Sequence, residues 1–176
     1  MDVTDDTFEQ DVIAASHEAP VVVDFWAEWC GPCRALGPVL EQAAADKGVA
    51  LAKVDVDASP AVARELGIRS IPAVKAFRNG HVVAEFVGAR TRGGVEAFLD
   101  ELTKPPVAET VDDPELAAAL RAGEYERAFE LLLTRVADGN PDREQARELA
   151  VRLFGELGHE HPLTVRYRRR LATALY

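Results

Sequence analysis

Cys30 and Cys33 are the only two cysteines in a chain of 176 residues, and Gly31-Pro32 lies between them. They sit in Trp26-Ala27-Glu28-Trp29-Cys30-Gly31-Pro32-Cys33, after the apolar run Val21-Val22-Val23-Asp24-Phe25 and before a segment with helical periodicity. A Cys-x-x-Cys at a strand-to-helix junction suits thiol–disulfide exchange. The first turn of a helix offers unpaired N–H groups and the positive end of its dipole, and both stabilise a thiolate. The thiolate is the species that attacks a disulfide. Cys30, just before the helix, is expected to be exposed and to attack. Cys33, one turn in, is expected to be more buried and to resolve the mixed disulfide by attacking Cys30. Gly31 and Pro32 shape the turn and add no charge, so a comparatively reducing pair is expected. A zinc half-site is the competing use of two cysteines, but zinc needs further ligands and the chain has no second Cys pair. His159 and His161 fall in a break between helices and read as solvated side chains, so no metal is expected.

The flanking elements follow from periodicity. Residues 4–17 read as a first helix with Thr4 as cap and Phe8 and Val12 as its apolar stripe. Val21–Ala27 is a nearly continuous apolar run, as in a strand covered on both faces, with Asp24 out of place inside it. Residues 32–47 form a helix that Pro38 should kink. Residues 49–55 form a strand. Ser59-Pro60 opens a helix that Gly67 closes, with Ser59 as cap. Residues 73–78 and 82–87 are strands joined by Asn79-Gly80, a strong hairpin signal. Residues 91–102 form an amphipathic helix with Val95, Phe98 and Leu102 on one face. Helical crossovers imply parallel strands and the Asn-Gly turn an antiparallel pair. The expected architecture is a mixed central sheet with flanking helices.

Lys104-Pro105-Pro106 ends this block, and residues 105–112 read as a linker. The remainder, 113–176, is rich in Leu, Ala, Arg and Glu. Four helices are expected there: one capped by Asp113-Pro114 and stopped by Gly123, one over 124–137, one ending at Leu157, and one starting at Pro162. A break is expected at Asp138-Gly139-Asn140-Pro141. Leu163, Tyr167, Leu171 and Leu175 recur every four residues along the last helix.

Composition bounds the function classes. A formal net charge of −10 suits neither nucleic acid nor anionic lipid. No stretch approaches the ~20 apolar residues of a membrane span. Met1-Asp2-Val3-Thr4-Asp5-Asp6 is acidic and lacks the features of a secretory signal, so a reducing cytosol is expected.

The string Trp-Ala-x-Trp-Cys-Gly-Pro-Cys resembles the signature of the thioredoxin family, and the resemblance covers residues 1–104. It implies an α/β thioredoxin fold and a protein-disulfide reductase whose redox group is the Cys30–Cys33 pair itself, recharged by an external thioredoxin-reductase-type protein. It also implies roles for other positions. Asp24 matches the buried acid upstream of the motif, and Lys53 its neighbour on the next strand. Ile71-Pro72 matches a cis-proline loop facing the disulfide, and Gly88-Ala89 a loop near the site. Trp29, Gly31, Pro32, Ile71, Pro72, Gly88 and Ala89 are then the surface that binds substrate. Desolvation should raise the Asp24 pKa and fit it to accept the Cys33 proton. A cis bond at Pro72 would let the Ile71 backbone pair with a bound peptide. Ala73 departs from the family, where Thr is usual.

In the tail, Ala122-Gly123-Glu124-Tyr125-Glu126-Arg127-Ala128 resembles part of a tetratricopeptide repeat, and Gly123 to Gly158 is near that repeat's period. A thioredoxin domain followed by an all-α tetratricopeptide-like module resembles the YbbN-like proteins, or chaperedoxins. They are bacterial and cytosolic, and some hold unfolded clients and pass them to a chaperonin through the C-terminal helix. Arg166, Arg168, Arg169 and Arg170 would give that helix a basic face for an acidic partner, or one that is simply solvated. Two other classes stay open: a redox-silent holdase or adaptor delivering clients to a chaperonin, and a scaffold that uses the helices alone.

Overall fold

A computed structural model describes residues 1–137 and 140–175. The chain divides into two compact units, Met1–Lys104 and Pro105–Tyr176. The expected break at Asp138-Gly139 lies outside the described residues, as does Tyr176.

In the first unit, four strands form one sheet in the order β2-β1-β3-β4. They are β1 (Val21–Trp26), β2 (Ala50–Asp55), β3 (Ala73–Arg78) and β4 (His81–Val87). β1 pairs parallel with β2 and antiparallel with β3, and β3 pairs antiparallel with β4. The hairpin turn places Asn79 at φ 52° and Gly80 at φ 78°. Positive φ at both central residues is what a tight two-residue turn needs, and Asn and Gly tolerate it best. The helices are α1 (Gly31–Lys47), α2 (Pro60–Glu65) and α3 (Arg92–Thr103). β1 is buried along nearly its whole length because it is covered on both faces. Val22 faces a core with Leu36, Leu40, Val74 and Leu99, while Val21, Val23 and Phe25 face one with Phe8, Val12, Val54 and Phe77.

Two local expectations differ from the structure. Residues 4–17 do not form a regular α-helix: a turn leads into π-helix over Glu9–Ala14 and then 3₁₀ helix over Ala15–His17. Ser59 does not cap α2. Its Oγ is buried without a partner, and the Asp5 carboxylate accepts from the N–H groups of Ala61 (3.2 Å) and Val62 (2.9 Å) instead. A cap delivered from more than fifty residues away carries no local sequence signal. α1 runs continuously through Pro38.

The second unit is all helical: α4 (Val107–Thr110), α5 (Pro114–Arg121), α6 (Tyr125–Val136), α7 (Arg143–Leu157) and α8 (Pro162–Leu175). Residues 105–112 are not a bare linker. Val107 is fully buried in the helical core, its N–H donates to Glu156 Oε1 at 2.7 Å, and Arg152 donates to the Pro105 carbonyl at 3.0 Å. The Asp113 carboxylate caps α5 through the Leu116 N–H at 2.6 Å and also holds Arg135 at 2.6 Å. Gly123, at φ 72°, turns the chain between α5 and α6. At the centre Phe129 stacks on Tyr167 (4.7 Å) and on Phe154 (5.1 Å).

Candidate active site

The strand register brings the expected site residues to one end of the sheet. Phe25 on β1 pairs with Ala73 on β3, which pairs with Val87 on β4. The segments beyond these positions therefore emerge together: 27–33 after β1, Ile71-Pro72 before β3, and Gly88-Ala89 after β4. The Ile71-Pro72 bond is cis, and the Gly88 N–H donates to the Pro72 carbonyl at 2.8 Å, which ties the last two loops to each other. Asp55, at the end of β2, pairs with Trp26 at the same end.

Cys30 and Cys33 are joined as a disulfide. Cys30 is the N-cap residue of α1, and its Sγ accepts from the Cys33 N–H at 3.2 Å. One of the helix's otherwise unpaired N–H groups is thus aimed at the sulfur, the arrangement that favours a thiolate once the bond is reduced. Pro32 occupies the first turn, where its missing N–H costs nothing. Cys30 is not exposed as expected. It is 4% accessible, Cys33 is 3%, and the two sulfur-bearing residues are equally enclosed. Gly31, Pro32 and Ala89 are exposed, Ile71 and Gly88 are half-buried, and Pro72 is buried. Trp29 is 68% exposed, with its indole Nε1 donating to Asp57 Oδ2 at 2.7 Å. Val87, 64% exposed, adds an apolar side chain at this end of the sheet that the sequence reading did not single out.

Asp24 lies on the sheet face that carries Val22 and meets α1. It is 2% exposed, and its Oδ1 has no hydrogen-bond partner. Burial pushes its pKa up from 3.8 to about 6, the nearby Lys53 ammonium opposes the rise, and Glu41 adds to it. Lys53 is the register partner of Asp24 on β2. Its Nζ donates to Glu41 Oε1 at 2.6 Å and stands 5.2 Å from the centre of the Trp26 ring. Glu41 was missed in the sequence. The available signal is its place eight residues after Cys33, close to two helical turns along α1.

The two histidines and the basic helix are also placed. Arg168 Nη2 lies 2.6 Å from His159 Nδ1, and the Leu163 N–H donates to His161 Nδ1 at 3.2 Å. Arg166 is paired with Glu126 and Arg170 with Glu130, both on α6. Two of the four arginines of the stripe are therefore paired with acids of the neighbouring helix.

A redox-active cysteine pair at a helix start, beside a cis-proline loop at one end of a mixed sheet, defines a disulfide oxidoreductase. The thioredoxin family model matches residues 1–101, and a tetratricopeptide repeat model matches residues 107–176. The thioredoxin of Mycolicibacterium smegmatis is 50% identical over 105 residues, covering 57% of this chain and 89% of that protein. The thioredoxin of Streptomyces clavuligerus is 46% identical over 94 residues, covering 53% and 86%, and that of Pseudomonas aeruginosa 43% over 102 residues, covering 57% and 93%. The chain belongs to the thioredoxin family of thiol–disulfide oxidoreductases, with tetratricopeptide helices after the redox domain.

Proposed function

We propose that the protein reduces disulfides in other proteins and that its helical unit binds proteins, as in a chaperedoxin. The Cys30 thiolate attacks one sulfur of the substrate disulfide, which releases the other as a thiolate and leaves Cys30 in a mixed disulfide. Cys33 then gives its proton to the Asp24 carboxylate and attacks Cys30 Sγ. The second substrate sulfur departs as a thiolate. Two electrons pass to the substrate, and the Cys30–Cys33 disulfide is closed. A thioredoxin-reductase-type dithiol returns the two electrons. Lys53 tunes Asp24, and Trp29, Gly31, Pro32, Ile71, Pro72, Gly88 and Ala89 receive the substrate chain, with the Ile71 backbone pairing as an added strand.

The observation that carries the reading is Cys30 at the N-cap of α1, with the Cys33 N–H aimed at its sulfur. The cytoplasm of a bacterium is the compartment that suits it, and no helix among the described residues is long and apolar enough to cross a membrane. Insulin reduction and citrate synthase aggregation, measured in parallel on the full chain and on residues 1–104, test both halves. Insulin reduction by both proteins, with aggregation suppressed by the full chain alone, is expected. Loss of insulin reduction in the full chain refutes the redox half. Equal aggregation with and without residues 105–176 refutes the client-binding half.

A further inference from the structure

The neighbourhood of Asp24 contains a charge arrangement that the dithiol chemistry does not by itself require. Asp24 and Lys53 are side by side on parallel strands and point to the same face of the sheet. A lysine so placed ordinarily neutralises the carboxylate next to it. Here its ammonium is hydrogen-bonded to Glu41 on α1 instead, at 2.6 Å, with the Trp26 ring 5.2 Å away. Asp24 is left with a buried oxygen that has no partner.

The remaining charges around this face leave the competition to these three groups. The β3 residues beside Asp24, Val74 and Ala76, are apolar. Lys75 pairs with Val23 on the opposite face and is bonded to Glu85. Where α3 meets α1, Lys47 is bonded to Asp100 and Arg92 lies 3.1 Å from Asp46. Asp2, bridged to Lys53 through the backbone, acts on Lys53. Glu41 is therefore the acid that holds the ammonium nearest Asp24.

We propose that Glu41 is a positioning residue for the dithiol reaction: it holds the Lys53 ammonium on the α1 side, withholds that cation from the Asp24 carboxyl, and so keeps Asp24 able to take a proton. Glu41 is bonded to Lys53, and its own charge also raises Asp24 through space; the larger part of its effect passes through Lys53. Removing its charge frees Lys53 to turn to Asp24, which then becomes a weaker base. The inference rests on Asp24 as the proton acceptor proposed above, but its test does not need turnover.

The carboxyl carbon of Asp24 is followed by NMR as pH is varied, in the oxidised full-length protein, for the parent, Glu41→Gln, Lys53→Met and the double variant. The Glu41 side chain is 51% exposed, so Glu41→Gln leaves the core packing alone, and a native amide spectrum verifies this. Glu41→Gln is expected to lower the Asp24 midpoint by about half a pH unit, and Lys53→Met to raise it. In the Lys53→Met background, Glu41→Gln should produce less than half of its effect in the parent. The pH profile of insulin reduction should move in the same direction as the midpoint. An unchanged midpoint in Glu41→Gln overturns the proposal, as does a shift of the same size with and without Lys53, which would make Glu41 a distant charge only. A midpoint that behaves as expected in a protein that fails to reduce insulin keeps the coupling and refutes the function.

Discussion

Asp24 and Lys53 occupy matched positions on adjacent parallel strands, yet the lysine spends its hydrogen bond on Glu41 and the aspartate is buried with one oxygen unpartnered. The consequence for stability can be signed. Asp24 holds its proton more tightly in the folded chain, with a pKa of about 6 against 3.8. Its contribution to stability is fully present below pH 3.8 and is lost as pH rises through about 6. At neutral pH the ionised carboxylate costs on the order of 3 kcal/mol. Asp24→Asn should therefore stabilise the oxidised protein at pH 7.5 and give no gain at pH 3.5. Urea unfolding at the two pH values checks this. The same variant should slow insulin reduction at neutral pH.

The roles proposed for the two cysteines lead to different outcomes on substitution. Cys30→Ser should abolish insulin reduction, because no thiolate remains at the helix start. Cys33→Ser should instead accumulate mixed disulfides with substrate, since the bond forms and cannot be resolved. Non-reducing gels and mass spectrometry distinguish the two, and equal turnover by either variant and the parent would remove the enzymatic reading.

Trp29 offers a large apolar surface beside the dithiol and is steered by its bond to Asp57. Trp29→Ala should raise KM for insulin several-fold while leaving the reduction of a small aromatic disulfide nearly unchanged. Trp29→Phe, which keeps a ring but loses the donor, should fall between. A uniform loss with both substrates would instead indicate damage to the dithiol itself.

Tyr167 joins the stacked aromatic centre of the helical unit and donates through its hydroxyl to Glu130 Oε1 at 2.6 Å. Tyr167→Phe should cost about 1 kcal/mol by losing that bond, and Tyr167→Ala about 3–5 kcal/mol by emptying the core. Helical circular dichroism during urea unfolding gives both values.

The parts legible in the sequence were those written in adjacent residues. The Cys-Gly-Pro-Cys run, the Asn79-Gly80 turn, the Asp113-Pro114 cap and the four-residue spacing of Leu163, Tyr167 and Leu171 each encode their structure locally. What escaped was set by partners distant in sequence. Asp5 caps α2 in place of Ser59, and Val107 is drawn into the helical core by Glu156 and its apolar neighbours. The pairing of Arg166 and Arg170 was not legible because the acids that meet them, Glu126 and Glu130, lie on α6. Glu41 was not singled out, since only the pairing of β1 with β2 puts a lysine within its reach. Cys30 was expected at the surface because a helix start is open in isolation.

The outer side of β2 has its own cover. Lys53 N–H donates to the Met1 carbonyl at 2.8 Å, and Val3 N–H donates to the Lys53 carbonyl at 2.9 Å. Uncovered strand margins invite sheet-to-sheet association between copies. An affinity tag or truncation that peels residues 1–3 away would open this margin and promote self-association. Such clumping would mimic a failure to protect clients in turbidity measurements, so preparations for that assay are best tagged at the other terminus.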